Sequence, residues 1–102
     1  MSIRSIPWSA LLLLTTFPAA LAQQFGDPAA GERLAAASCA QCHGADGAHP
    51  AAPALAAIAA MPSTTEASLS AFLQTPHAKM PNLIFSGAEL NDLIAYILSL
   101  RR

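Results

Sequence analysis

Cys39-Ala40-Gln41-Cys42-His43 constrains this chain more than any other stretch of it. Cysteines at i and i+3 followed at once by histidine form the pattern of covalent c-type haem attachment. On a helix the three side chains share one face, so two thiols can add to the vinyl groups of a haem while the imidazole reaches the iron. A thioredoxin-like dithiol and half of a zinc site are the competing readings. The chain has 2 cysteines in all, which leaves no second pair for zinc, and no βαβ pattern surrounds the motif. The pentapeptide therefore predicts one haem c, anchored through Cys39 and Cys42, with His43 as an iron ligand.

The segment before it reads as an export signal. Arg4 is the only charge in the first 22 residues, and the apolar stretch from Trp8 to Phe17 is followed by Pro18 and Ala20-Leu21-Ala22. A short apolar run ending in small residues is the pattern of a cleavable secretory leader. Thr15, Thr16 and Pro18 interrupt a run already short for a bilayer core of about 30 Å, which weighs against a membrane anchor. The expected division is a signal peptide over 1–22 and a single domain over 23–102, released into the periplasm. Export also bears on the cysteines, which would form a disulfide in an oxidising compartment unless thioether formation used them first.

A domain this small rarely stabilises itself with a protein-only core, so the macrocycle is expected to complete the core. The full chain carries a net charge of −1, and losing Arg4 makes it −2. Such a chain has no basic stripe for phosphates, so nucleic acid is not an expected partner.

Helical signals dominate the rest. Asp27-Pro28 opens the first helix, with Asp as N-cap and Pro at the first helical position, running through Ala-rich sequence to Cys39. Gly31 lies inside it at a cost of roughly 1 kcal/mol relative to alanine, which implies a close packing partner. Gly44 to Pro50 is turn-rich, and Pro53 to Ala60 suggests a short apolar helix. Ser63-Thr64-Thr65-Glu66 matches a capping box before a helix whose Leu69, Phe72 and Leu73 share one face. Thr75 to Asn82 has two prolines and no periodicity, so it is expected as extended loop. Ser86-Gly87-Ala88-Glu89 is a second capping box, and the helix after it carries an apolar stripe wide enough for two partners. With no candidate strand, the fold class is all-α, about four helices wrapped around the haem.

A low-spin electron-transfer haem needs a second axial ligand, for which a thioether is well suited. Met61 follows His43 by only 18 residues with two prolines between, whereas Met80 follows it by 37 and lies in an irregular segment that can reach round the ring. Met80 is the expected ligand and Met61 is expected to pack in the pocket. His49, His77 and Lys79 are read as solvated surface groups, with His77 and Lys79 close enough to replace Met80 if its bond to iron were broken.

Taken together, these residues resemble the small bacterial class I cytochromes c over Asp27 to Arg102. The likeness rests on the attachment pentapeptide, Pro53-Ala54-Leu55, Met80-Pro81, and the ending Asp92-Leu93-Ile94-Ala95-Tyr96-Ile97-Leu98-Ser99-Leu100. It implies that the Pro53 carbonyl accepts from the ring N–H of His43, and that the first and last helices cross with Gly31 against Tyr96. The position one turn after that glycine, often aromatic in such proteins, is Ala35 here. The implied function is a one-electron carrier, not itself an enzyme, that receives electrons from a dehydrogenase and passes them to an oxidase or reductase. The alternative is a haem subunit held in a periplasmic dehydrogenase complex. The carrier reading expects a monomer that meets membranes only through its partners. Lys79 as the one lysine, with Ala51, Ala52, Ala54 and Met61 nearby, suggests an apolar rim rather than a basic docking face.

Overall fold

A computed structural model of the protein describes residues 26–44 and 52–101. The leader expected over 1–22, the new terminus at Gln23, His49, Ala51 and most of the turn-rich stretch after Gly44 lie outside the described residues. Among the described residues five helical segments follow one another: α1 (Pro28–Ser38), α2 (Ala40–His43), α3 (Leu55–Ala60), α4 (Glu66–Leu73) and α5 (Gly87–Ser99). The all-α expectation holds. The fifth segment arises because the first helix breaks at Cys39 and restarts for one turn. Among the described residues the only extended pairing is a single antiparallel bridge between His77 and Met80.

α1 starts as its sequence dictates. The Asp27 carboxylate accepts from the Ala29 N–H at 3.0 Å, and Pro28 occupies the first turn. The Asp27 N–H in turn donates to the Asp92 carboxylate at 2.7 Å, tying the start of α1 to α5. A side chain on Gly31 would collide with the Asp92 backbone carbonyl and lie 2.6 Å from its carbon and 2.7 Å from the Tyr96 Cβ. The expected Gly31–Tyr96 crossing is therefore present, and backbone contact with Asp92 makes it tighter than side-chain contact alone. Gly26 forms a second notch, with a φ of 63° and the Asn91 backbone where a Cβ would sit. The small Ala35 is buried in the same core.

The cap of α4 differs from the expected capping box. Thr65 is the N-cap, accepting from the Ser68 N–H at 3.1 Å, and the Ser68 hydroxyl accepts from the Thr65 N–H at 2.8 Å. The cap sits two residues later because Thr64 is turned inward: it is 5% exposed, and its hydroxyl donates to the Ile58 carbonyl. The expected box of α5 forms between Ser86 and Glu89. α5 packs against α1, α3 and α4. Its buried Leu90, Leu93, Ile94 and Ile97 form the centre of the core with Ala35, Ala59 and Leu69. Its wide apolar stripe thus serves several helices and, through Leu93 and Ile97, a cavity.

Candidate haem site

The attachment motif straddles the break between α1 and α2. Cys39 closes α1 with its N–H on the Ala35 carbonyl at 2.8 Å, and its own carbonyl accepts from the N–H groups of Cys42 at 3.1 Å and His43 at 2.8 Å. This single turn sets both sulfurs and the imidazole on the border of one cavity of about 440 Å³. Burial pushes the Cys39 thiol above its usual range, so at neutral pH it is the uncharged S–H form. Cys42 is half-buried.

Ten residues after His43 stands Pro53, whose carbonyl lies 2.6 Å from His43 Nδ1. A carbonyl can only accept, so Nδ1 carries the hydrogen and Nε2 keeps its lone pair. Leu55 follows Pro53 into α3, while Pro53 and Ala54 stay outside the helix; the extended backbone at Ala54 is what leaves the Pro53 carbonyl free for the ring. The expected short helix therefore begins later than its apolar run.

Leu55, Ile58, Leu69, Phe72, Leu73, Leu93 and Ile97 supply the apolar walls of the cavity. Met61 and Met80 both border it, Met61 from the end of α3 and Met80 from the irregular segment before α5. Met61 is 45% exposed and Met80 is half-buried. Lys79 also lines the mouth. The structure thus brings Cys39, Cys42, His43, Pro53 and Met80 around a single space, with Met61 beside them. Among the described residues no three His, Cys, Asp or Glu side chains could by themselves hold a metal ion.

Two features had not been foreseen. His77, expected as a solvated group, is half-buried and stacked on Phe72, with ring centroids 3.6 Å apart and planes inclined by 16°. Arg101 donates from Nε to the Ala59 carbonyl at 3.0 Å and from Nη2 to the Thr64 carbonyl. It fastens the end of α5 to the α3–α4 connection that carries Met61.

The model of the family described as cytochrome C oxidase, cbb3-type, subunit III matches residues 26–97. The chain belongs to this cytochrome c family. No curated protein and no solved structure matches the chain. A cytochrome c domain of this family carries covalently bound haem c and serves haem-based electron transfer, as a carrier or as a redox subunit. The cavity suits that group: its volume falls in the range of about 300–1,000 Å³ usual for cofactor pockets, its walls are largely apolar, and its lining includes the residue types that hold haem c. Two sulfurs for thioethers, an imidazole with a free Nε2 and a thioether sulfur make up that donor set. No helix among the described residues is long and apolar enough to cross a membrane.

Proposed function

We propose that this cytochrome c is a periplasmic one-electron carrier whose single haem is anchored by Cys39 and Cys42 and ligated axially by His43 and Met80. The observation that carries the reading is the 2.6 Å bond from His43 Nδ1–H to the Pro53 carbonyl, made beside a cavity that Cys39, Cys42 and Met80 also border. The haem supplies the iron that is reduced and reoxidised. Cys39 and Cys42 would tether it through thioether bonds. Pro53 holds the His43 ring in the tautomer that offers Nε2 outward and increases its basicity, a contribution typical of groups one bond removed from a metal. Met80 would offer the iron a soft sulfur, which favours the reduced state. Leu93, Ile97 and the α3–α4 walls exclude water, so little has to rearrange as an electron enters or leaves.

The family description favours a second reading, in which the domain works as a haem subunit within an oxidase complex. Either way its partners are redox proteins, a donor and an acceptor. In both readings residues 1–22 form the export signal and the domain begins at Gln23. A carrier leaves a gently prepared periplasmic extract as a free monomer, whereas a subunit co-elutes in constant ratio with a larger redox protein and stays with it at high salt.

The ligand assignment is tested by visible spectroscopy of the ferric protein. Met80→Ala abolishes the weak near-red band of an iron–thioether bond, and Met61→Ala leaves it in place. Retention of the band in Met80→Ala, with its loss in Met61→Ala, would transfer the ligand role to Met61.

A further inference from the structure

The segment that brings Met80 to the cavity lies outside every helix and has Pro76 and Pro81 among its residues, so it can donate few backbone hydrogen bonds of its own. His77 stands at its base and makes three connections at once. Its ring lies on Phe72, a wall of the cavity. Its Nε2–H donates to the Phe72 carbonyl at 3.1 Å, an oxygen that also accepts from the Gln74 and Thr75 N–H groups at the end of α4. Its backbone pairs with that of Met80, so that His77 and Met80 are the two ends of a tight reversal with Ala78 and Lys79 at its centre. A residue that only capped α4 would need the second connection and not the third.

We propose that His77 is a positioning residue for Met80, joining the end of α4 to the ligand segment and so holding the methionine sulfur at the cavity. The inference rests on Met80 being the iron ligand. Phe72 is the other half of the device. It is 47% exposed, and the face covered by the His77 ring is one that solvent would otherwise reach. Without the stack and the hydrogen bond, the ties to the helix would all lie before Pro76: Gln74, whose side chain donates to the Ser70 carbonyl at 2.9 Å, and Thr75, whose hydroxyl donates to the Ala71 carbonyl at 2.6 Å and whose N–H reaches Phe72. Thr75 lies on the far side of Pro76 from the reversal, so it fixes where the segment starts and leaves the orientation of Met80 free.

The test measures how readily added imidazole binds the ferric iron of the purified haem protein, together with the near-red band and the reduction potential. His77→Ala is expected to raise the apparent affinity for imidazole about tenfold, equivalent to roughly 1.4 kcal/mol, to weaken the band and to lower the potential. His77→Phe keeps the stack without the donor and is expected to lie between His77→Ala and the unaltered protein. Gly31→Ala, which strains the remote α1–α5 crossing, separates positioning from general loss of stability. It is expected to lower the unfolding midpoint while leaving imidazole affinity within about twofold, on the order of 0.4 kcal/mol. If His77→Ala leaves affinity, band and potential unchanged while Met80→Ala alters all three, His77 has no positioning role and the ligand assignment stands. An equal rise in affinity in Gly31→Ala and His77→Ala also overturns the proposal. If Met80→Ala itself changes none of the three, the ligand assignment fails and this inference falls with it.

Discussion

A single guanidinium near the end of the chain spans two backbone carbonyls that belong to different parts of the cavity wall. The Ala59 carbonyl lies in the last turn of α3, where no later helical N–H can satisfy it, and the Thr64 carbonyl lies in the connection to α4. Replacing Arg101 by methionine keeps much of the apolar stem and removes both donors. The expected loss is about 1–2 kcal/mol, since each charged hydrogen bond here is partly exposed. Urea unfolding of the haem protein measures it. Arg101→Lys recovers part of that loss at most, because an ammonium cannot reproduce the planar fork. Nothing in Leu100-Arg101-Arg102 distinguishes such a clamp from ordinary surface charge, since its partners are carbonyls 37 and 42 residues away. His77 was obscure for a similar reason. Its polar neighbours suggest solvent, and the Phe72 ring that covers it is brought close only by the way the chain leaves α4. The place of His43 beside the cavity, in contrast, was legible because the attachment motif is written in contiguous residues.

Among the helices, the α1–α5 crossing makes the clearest demand on sequence. Alanine is the better helix former by about 1 kcal/mol, so Gly31→Ala would stabilise an isolated α1. In the folded domain the added methyl meets the fixed backbone of Asp92, and Tyr96 Cβ stands 2.7 Å away. Forcing the helices apart costs about 1–3 kcal/mol or more, which exceeds the propensity gain and makes the substitution destabilising. At Gly87, in the first turn of α5, an added methyl would have nothing within 4 Å of it. Gly87→Ala is therefore expected to stabilise by about 0.4–1 kcal/mol through the unfolded chain. Thermal unfolding of the two variants side by side should give midpoint shifts of opposite sign. Apart from the break at Cys39, the helices were largely visible in advance because Asp27-Pro28, Ser86 with Glu89 and the apolar periodicity of α5 act locally. Boundaries set by tertiary contacts were not: Thr64 turns inward to Ile58 and displaces the α4 cap, and Pro53 is kept out of α3 while bonded to His43.

At the scale of the whole domain, the haem cavity is walled by large apolar side chains from α3, α4 and α5, Ile58, Phe72 and Ile97 among them. A chain expected to measure 80 residues after loss of the leader has little core to spare, so the cofactor is counted as part of that core. Exported protein is expected to have the mass of a chain starting at Gln23 plus one haem, and to retain the haem in denaturing acid–organic solvent. The double variant Cys39→Ala, Cys42→Ala is expected to lose the sharp heat-unfolding transition and to bind a hydrophobic dye. A cooperative transition in the haem-free double variant would show that the helices make a sufficient core unaided.

The bond between the Asp27 N–H and the Asp92 carboxylate joins positions 65 residues apart, with the attachment motif, the Pro53 carbonyl and Met80 all lying within the loop it closes. Loop closure costs entropy only logarithmically in length, but it requires both ends to exist. As the chain emerges from its N-terminus, the cysteines are exposed long before α5 arrives to meet the notches at Gly26 and Gly31. The order of residues therefore leaves an interval in which a bulky planar group can be fastened to an open chain, and the last helix then closes the domain over it.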